Sequence, residues 1–312
     1  MDISFIIPVY NEENSIPLLC TKICDVMLND LPKKSFKIIL IDDGSCDSTL
    51  SVIKDIQKEN PYVDYISFRQ NFGKSAALQA GYRNSTGDIV ITMDADLQDN
   101  PVEIKKFLDK LDEGYDMVSG WKRRRLDNFE KRWASIIFNK YMAMSSKIPL
   151  HDFNCGFKAY RRELIDSLDI YGELHRFIPV LAKRNGFRIG EVEVDHQKRK
   201  FGKSKYGFKR YIRGMFDSVS VMFLLKYREQ PMYYFGRIGL LSFLLGFAVC
   251  FYLLINWIGG EQIGGRPLLM LGVLLIIIGT LFICIGLLGD LIVDLGYRKH
   301  YDEYHIKEKN IR

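Results

Sequence analysis

Two stretches of the sequence contain no Asp, Glu, Lys or Arg: residues 238–260 and residues 267–289. At about 1.5 Å of rise per residue, each would form a helix of roughly 35 Å, which exceeds a hydrocarbon core of about 30 Å. Helices of globular proteins usually run about 8–20 residues, so a pair of buried core helices is the poorer interpretation. The stretches predict two membrane-spanning helices, at about residues 233–258 and 267–292.

Export signals and paired cysteines are also lacking. The chain starts Met1-Asp2-Ile3 without a basic leader or cleavage site, so we expect no export signal. The six cysteines do not have the spacing of zinc ligands or of a redox pair, which predicts free thiols in a cytoplasmic domain.

Basic residues lie on the outer sides of the two uncharged stretches. Lys226, Arg228 and Arg237 precede the first stretch, and five Lys or Arg residues follow the second within 298–312. The connection between the stretches contains one acid and one base, Glu261 and Arg266. This bias predicts that both termini face the cytoplasm. It divides the chain into a cytoplasmic domain (1–228), a membrane domain (229–293) and a cytoplasmic tail (294–312).

The N-terminal part alternates short apolar runs with amphipathic stretches. This alternation predicts an α/β domain with a mainly parallel sheet covered by helices. The predicted strands are Ile3–Val9, Phe36–Ile41, Tyr65–Phe68, Asp88–Met93 and Met117–Gly120. The predicted helices are Ser15–Asn29, Asp47–Glu59, Gly73–Asn84 and Pro101–Glu113.

The predicted strand at residues 88–93 ends abruptly in carboxylates. Asp94-Ala95-Asp96 follows it directly, so a buried strand would deliver two acids to the sheet edge where ligands bind. We predict that Asp94 and Asp96 hold a divalent metal under a nucleotide diphosphate. The alternative is a solvated turn, and we expect Asp99 to cap the helix that begins near Pro101.

The earlier strands also end in polar residues, at Pro8–Glu12, at Asp42–Thr49 and at Arg69–Lys74. Because carboxyl ends of parallel strands share one edge, these segments should converge on one crevice. An Asp there can accept hydrogen bonds from a base or ribose, and Lys74 can bind phosphate. Taken singly, they are equally compatible with helix caps and turns.

Two basic clusters lie further along the chain, at 122–132 and at 196–213. Neither has a recognisable nucleic-acid-binding module, and both lie near apolar segments, so lipid headgroups are the expected anionic neighbours. Apolar residues at helical spacing near 128–145 and 208–226 predict two helices in the membrane interface. Helices packed on the protein's own core would show the same spacing.

Six motifs, in order, resemble one family. They are Pro8–Glu12, Asp42–Thr49, Asn71–Lys74, Asp94–Gln98, His151–Phe157 and Arg199–Gly207. Together they resemble the GT-A-type inverting glycosyltransferases that include dolichyl-phosphate mannose synthase. With the two C-terminal spans, the chain looks most like bacterial polyprenyl-phosphate glycosyltransferases of the bactoprenol glucosyltransferase type.

The resemblance implies a role for each matching residue. Asp94, Asp96 and Gln98 would surround Mg²⁺ or Mn²⁺. The acceptor phosphate would contact Arg123, Lys131 or Arg132, and Ser135, and the catalytic residues would be Asp96, Asp152 and Arg123. Asp152 would orient the sugar or act as a base, unless it is an ordinary loop residue. The nucleotide sugar would contact Pro8, Tyr10, Asn11, Glu12, Asp42, Asp43, Lys74, Asp94, Ala95, Asp96, Arg199 and Lys205.

The implied activity is transfer of one hexose, with inversion, from a nucleotide sugar to undecaprenyl or another polyprenyl phosphate. UDP-glucose is the expected donor, with GDP-mannose or another UDP-sugar as the alternative. The chain lacks the Gln-x-x-Arg-Trp signature of processive synthases after its acidic loop, which favours single-sugar transfer. Transfer to a lipid hydroxyl and a non-catalytic membrane scaffold stay open as other functions. We expect membrane lipids but no nucleic acid as partners, and a homo-oligomer through the spans is compatible with the sequence.

Overall fold

The computed structural model describes residues 2–123, 139–140, 142–144, 146, 148–195, 197, 230–260, 262 and 267–297. The chain divides into two compact units, Met1–Ser218 and Val219–Arg312. The predicted boundary at residue 228 and the predicted interfacial helix at 208–226 lie outside the described residues. The other predicted interfacial helix, at 128–145, is described only at its end, where residues 139–140 and 142–144 are helical.

In the described part of the first unit, seven strands form one sheet. In chain order they are β1 (Ile3–Val9), β2 (Phe36–Asp42), β3 (Val63–Ser67), β4 (Ile89–Thr92), β5 (Met117–Trp121), β6 (Lys158–Arg161) and β7 (Ile189–Glu193). Their spatial order is β3-β2-β1-β4-β6-β5-β7, and β6 runs antiparallel to both of its neighbours. The other strand pairs are parallel, as the alternating pattern predicts.

Helices connect the strands in the order that the sequence predicts for the first half of the unit. They are α1 (Ile16–Asn29), α2 (Thr49–Glu59), α3 (Lys74–Asn84), a 3-10 turn (Pro101–Glu103) that leads into α4 (Ile104–Asp112), α5 (Arg162–Asp166) and α6 (Ile178–Arg184). The buried residues of α1 recur every three or four positions, which places its apolar face on the sheet. They pack with the inward residues of β1, β2 and β4 into one hydrophobic core.

The direction of winding reverses between β1 and β4. The chain proceeds from β1 outward to β2 and β3, and then returns through α3 to place β4 on the other side of β1. The carboxyl ends of two neighbouring strands therefore diverge into loops that run in opposite directions. Such a reversal opens a crevice at the carboxyl edge of a parallel sheet. The segments that follow Val9 and Thr92 border this crevice.

The described part of the second unit contains two long helices, α7 (Pro231–Ile258) and α8 (Pro267–Tyr297). They are long and apolar enough to cross a membrane, and most of their side chains are exposed rather than buried in a protein core. Glycines bring the two backbones together: Gly239 lies against Gly279, and Gly246 lies against Gly272. The hydroxyl of Ser242 also donates a hydrogen bond to the carbonyl oxygen of Leu275, at 2.8 Å. Small residues at a helix interface permit this close approach.

Gly246→Leu tests the contact between α7 and α8. A Cβ atom at Gly246 would lie 2.7 Å from the carbonyl oxygen of Gly272, so the two backbones must separate to accept a side chain. Overpacking of this kind typically destabilises by about 1–3 kcal/mol. We expect the unfolding midpoint in mild detergent to fall by several degrees. Ala248→Leu introduces the same side chain at an exposed position of α7 and is the control; equal effects of the two substitutions would contradict the predicted interface.

Candidate active site

The loops that follow β1 and β2 are joined by side chain–backbone hydrogen bonds. Asn11 donates its backbone N–H to the hydroxyl of Ser45 at 2.9 Å, and its side-chain oxygen accepts from the N–H of Cys46 at 2.8 Å. The N–H of Glu12 donates to the hydroxyl of Thr49 at 2.9 Å. Asn11 has a φ of 53°, a left-handed conformation that Asn adopts more readily than most residues. Two motifs that are far apart in sequence thus form one rigid rim of the crevice.

Asp42 ends β2 and Asp43 follows it; both are buried, but they contact different loops. The carboxylate of Asp42 accepts from the N–H of Ser45 at 3.0 Å and from the hydroxyl of Ser67 at 2.8 Å. The carboxylate of Asp43 accepts from the N–H groups of Phe72 and Gly73, at 2.7 and 2.9 Å. Asp43 therefore shapes the start of α3. Burial raises its pKa, and these hydrogen bonds oppose the shift.

Gly44 allows the loop before α3 to lie directly on the loop after β2. Its φ is 70°, and a Cβ atom there would lie 2.4 Å from the carbonyl carbon of Gln70. A side chain is excluded by both the backbone conformation and the available space. This contact, together with Asp43, brings Lys74 to the carboxyl edge of the sheet.

The segment from Asp94 to Gln98 forms a tight turn after β4. The N–H of Gln98 donates to a carboxylate oxygen of Asp96 at 3.2 Å. Leu97, buried between them, has a φ of 61°, which is rarely adopted by residues other than glycine, asparagine or aspartate. Such a conformation typically costs about 1–3 kcal/mol and often occurs at functional sites. Ala95, in the same turn, is also buried.

Three lysines surround the carboxylate of Asp94. Lys74 forms an ion pair with it, and the charges of Lys122 and Lys158 also act on it. Burial alone would raise the pKa of Asp94, but the lysines outweigh burial and lower it to about 2. On another side, the backbone of Gly156 lies so close that a Cβ atom there would be 2.4 Å from a carboxylate oxygen of Asp94. Asp94 is therefore ionised and fixed in position.

Asp96 has the opposite environment. Burial, together with the nearby negative charges of Asp94 and Asp99, raises its pKa to about 6. A divalent cation between Asp94 and Asp96 would relieve this repulsion. Within the described residues, no group of three or more His, Cys, Asp or Glu side chains has the arrangement of a metal site. Two carboxylates and the Gln98 amide nevertheless suit Mg²⁺, which usually takes one or two carboxylates and completes its shell with phosphate oxygens and water.

Lys122 has a structural role that the sequence did not reveal. Its ammonium group forms a 2.7 Å ion pair with Asp99, and both side chains are nearly or fully buried. Burial alone would lower the pKa of Lys122, but Asp99 and Asp94 help to raise it well above its usual value. The expectation that Asp99 caps the following helix is wrong. Asn100 is the cap, and its side chain accepts from the N–H of Val102 at 3.4 Å.

Arg123 and Asp152, two predicted catalytic residues, contact other parts of the fold. Arg123 is exposed, lies over the Trp121 ring and pairs with Glu193 at 3.4 Å. Asp152 is buried; its N–H donates to Glu191 at 3.1 Å, and its carboxylate accepts from the N–H of Asn154 at 3.1 Å. Their catalytic roles stay predictions.

His175 approaches the same site from a distant part of the sequence. Its Nδ1 atom lies 2.9 Å from the hydroxyl of Ser75, which also accepts the backbone N–H of His175 at 3.1 Å. Burial lowers the pKa of His175 well below its usual value, and Lys74 adds to the shift. The imidazole beside Lys74 is therefore neutral. No local signal near His175 distinguishes it from an ordinary surface histidine.

The remaining predicted residues have different placements. Pro8 and Tyr10 lie at the end of β1, where Tyr10 is exposed at the rim of the crevice. Lys131, Arg132, Ser135, Arg199 and Lys205 lie outside the described residues. The N–H of Gln197 donates to the carbonyl oxygen of Gln98 at 3.0 Å, so Gln197 lies beside the turn that follows β4.

Comparison with known proteins identifies the class to which this fold and site belong. Residues 4–169 match the profile of glycosyl transferase family 2, which covers more than half of the chain. The chain belongs to this family, and its first unit has the GT-A-like α/β fold.

Two curated relatives extend the match to almost the full length. The dodecaprenyl-phosphate galacturonate synthase of Rhizobium johnstonii (strain DSM 114642 / LMG 32736 / 3841) is 35% identical over 304 residues, covering 96% of this chain and 89% of that protein. The undecaprenyl-phosphate 4-deoxy-4-formamido-L-arabinose transferase of Enterobacter sp. (strain 638) is 34% identical, covering 93% of this chain and 88% of that protein. These relatives establish the chain as a member of the polyprenyl-phosphate glycosyltransferases.

Solved structures share the fold at lower identity. The glucosyl-3-phosphoglycerate synthase of Mycobacterium tuberculosis, solved with Mn²⁺ and UDP-glucose, has a TM-score of 0.55 and is 21% identical, covering 72% of this chain and 78% of that chain. The mannosyl-3-phosphoglycerate synthase of Rubrobacter xylanophilus has a TM-score of 0.58 and is 16% identical, covering 72% and 74%.

The buried pair of Lys122 and Asp99 predicts a large and non-additive effect on stability. Lys122→Met leaves the Asp99 charge without its partner and should destabilise the first unit by about 3–5 kcal/mol. The double substitution Lys122→Met/Asp99→Leu removes both charges and should recover much of that loss. Unfolding midpoints of the wild type, both single variants and the double variant form the complete cycle. Additive losses in the double variant would contradict the pairing.

Proposed function

We propose that this chain is a membrane-anchored inverting hexosyltransferase that moves one sugar from a nucleotide donor to polyprenyl phosphate, such as undecaprenyl phosphate. One observation carries the proposal: Asp94 and Asp96 lie at the crevice between β1 and β4, beside Lys74. An anionic diphosphate needs both a cation site and a basic side chain at the same place. Membership of the family and the names of the two full-length relatives support the lipid phosphate as acceptor.

On the donor side, the negative charge of the diphosphate explains why two acids that can hold a cation lie next to a lysine. Mg²⁺ or Mn²⁺ held by Asp94, Asp96 and Gln98 would neutralise the departing nucleoside diphosphate. Lys74 can donate to a phosphate oxygen near the start of α3, where the positive end of the helix dipole also favours anions. The loops of Pro8–Glu12 and Asp42–Asp43 form the rim where a base and ribose would bind. The Mn²⁺ in the M. tuberculosis structure makes Mn²⁺ a natural first cation to test.

On the acceptor side, the nucleophile is a phosphate oxygen that is already largely ionised near neutral pH. It attacks the anomeric carbon from the face opposite the diphosphate and inverts the configuration. Strong general-base assistance is unnecessary, so positioning and charge stabilisation dominate. Arg123, Lys131 or Arg132, and Ser135 are the proposed contacts to the acceptor phosphate. Arg199 and Lys205 are the proposed basic pair over the donor diphosphate.

Transfer to a lipid hydroxyl is the second candidate, and the placement of Asp152 bears on it. A hydroxyl nucleophile would require a base. Asp152 is buried in a loop that contacts β4, the strand before Asp94, through Gly156. The names of the relatives specify a polyprenyl phosphate instead, which favours the phosphate acceptor.

The identity of the donor sugar is the most specific part of the proposal. UDP-glucose is the donor that the sequence resemblance favours, and GDP-mannose is the alternative. The relatives' names add galacturonate and 4-deoxy-4-formamido-L-arabinose as sugars to compare.

The activity is tested directly with purified protein, Mn²⁺ or Mg²⁺, and polyprenyl phosphate. Nucleotide donors of glucose, mannose, galacturonate and 4-deoxy-4-formamido-L-arabinose are supplied in turn, and glycolipid is measured by mass spectrometry. We expect product on polyprenyl phosphate with one donor, none on diacylglycerol, and a fall of about 100-fold or more in Asp96→Asn, because the cation loses a carboxylate ligand. Asp55→Asn, at an exposed position of α2, is the control.

Failure to form a glycolipid with every donor would contradict the proposed function. Activity of Asp96→Asn near the wild-type level would contradict only the metal assignment.

We further propose that the enzyme is a multi-pass protein of the cytoplasmic membrane with its catalytic unit and both termini in the cytoplasm. The excess of Lys and Arg outside the two apolar stretches supports this orientation. A cytoplasmic active site has direct access to nucleotide sugars. The polyprenyl tail can stay in the bilayer while its phosphate reaches the enzyme, and the spans provide a surface for homo-oligomer formation.

The orientation can be tested through Cys46, an exposed cysteine of the first unit. Cys20, Cys24 and Cys155 of that unit are buried, and Cys250 and Cys284 lie within α7 and α8. A membrane-impermeant maleimide should fail to label the chain in intact cells and should label it after the membrane is permeabilised. Cys46→Ser should remove most of that labelling. Labelling of Cys46 in intact cells would place the catalytic unit on the outer side and contradict the proposal.

A further inference from the structure

Lys158 is a buried cation to which the proposed chemistry assigns no role. It begins β6, opposite Thr92 at the end of β4, and 3% of its surface is exposed. Its Nζ atom donates to the carbonyl oxygen of Phe153 at 3.3 Å and also to that of Cys155. Lysine is almost never buried to this extent without compensating partners. The backbone of one loop supplies them here.

That loop, residues 151–157, contacts β4, the strand that precedes Asp94. It carries Asp152 near its beginning, and near its end the carbonyl oxygen of Gly156 accepts a 2.9 Å hydrogen bond from the Thr92 hydroxyl. The backbone of Gly156 lies directly on the carboxylate of Asp94, with no space for a Cβ atom. Any movement of this loop therefore changes the space that Asp94 occupies.

The charge of Lys158 acts on two carboxylates, those of Asp152 and Asp94. Burial lowers its pKa, while the charges of Asp152 and Asp94 oppose that shift, so both carboxylates lie within electrostatic range. Lys158 thus binds loop 151–157 through hydrogen bonds to its backbone, and its positive charge acts on Asp94, the proposed cation ligand.

We propose that Lys158 is a positioning residue: by binding the carbonyl oxygens of Phe153 and Cys155, it holds loop 151–157 against Asp94 and so maintains the geometry of the cation and donor site. The inference rests on the proposed function, because it concerns the same site. Lys158 touches neither substrate nor cation. It acts through the loop and through Asp94.

A positioning role and a purely electrostatic role predict opposite changes in cation affinity. Lys158 repels any cation bound at Asp94, so removal of its charge alone would strengthen Mn²⁺ binding. If the lysine instead maintains the position of Asp94, its removal weakens Mn²⁺ binding because a ligand is displaced. The sign of the change distinguishes the two roles. A general loss of stability also weakens apparent binding by lowering the folded fraction, so the test includes a control variant with a similar loss of stability.

Lys158→Met and Arg161→Met form a matched pair on the same strand. Arg161 also donates to two backbone carbonyl oxygens, those of Tyr115 at 3.2 Å and Leu111 at 2.7 Å, but these belong to the end of α4 and its following turn. Both variants should lower the unfolding midpoint. In the full-length protein with UDP or GDP present, Mn²⁺ titrated by electron paramagnetic resonance should bind at least tenfold more weakly to Lys158→Met. Arg161→Met should stay within about twofold of the wild type.

Equal or tighter Mn²⁺ binding by Lys158→Met would overturn the inference. If that variant does not fold, Lys158→Gln, which keeps side-chain N–H donors, replaces it and should bind Mn²⁺ more weakly than Arg161→Met; otherwise the inference fails. A wild-type chain that binds Mn²⁺ with a nucleotide but makes no glycolipid would refute the proposed function while the comparison of variants still tests Lys158. A wild-type chain that binds no Mn²⁺ with either nucleotide would overturn the inference as well.

Discussion

Asp94 lies among three lysines and against one glycine, and the rest of the site is arranged around this carboxylate. A lone acid in this position would be partly desolvated and would tend to take up a proton. Lys74, Lys122 and Lys158 keep it ionised, and Gly156 prevents it from turning away. Lys74, Lys122 and the near neighbours Gly156 and Lys158 come from three different segments, and the segments meet because β4 lies between β1 and β6. The order of strands in the sheet is thus the constraint on which the site depends.

The two acids of the turn differ because their neighbours differ. Asp94 has compensating cations, whereas Asp96 faces burial and the charges of Asp94 and Asp99. Negative charge is therefore in excess around Asp96, while Lys74 places a positive charge beside Asp94. An enzyme that brings two phosphate-bearing substrates together needs both signs of charge within a few ångströms. The buried Lys122–Asp99 pair contributes to this arrangement, because the charge of Lys122 acts on both acids and that of Asp99 acts on Asp96.

Much of the first half of the fold was predictable from the chain itself. The bounds of β1 agree with the prediction, and β2, β4, α1, α2 and α3 differ from it by one or two residues, because apolar runs and helical spacing are local properties. β6 and β7 were not predicted. β6 is short, and both carry charged residues, so neither has the continuous apolar run that marks a buried parallel strand. The motif residues that the structure describes near Asn11, Asp42 and Asp94 lie at the ends of strands, so a short local sequence was enough to place them at the edge of the sheet.

The sequence by itself determined the class of protein, the two long apolar helices and the acids that end β4, because each depends on residues that are close together in the chain. Only the tertiary structure decided which residues surround those acids. His175 pairs with Ser75 across a separation of 100 residues, Lys122 reaches Asp99 from the residue after β5, and Gly156 reaches Asp94 from the loop before β6. No local pattern encodes such contacts, since they arise when strands that are distant in sequence become neighbours in the sheet. The physical reason is that side-chain charge and burial are set by neighbours in space, and the strand order selects those neighbours.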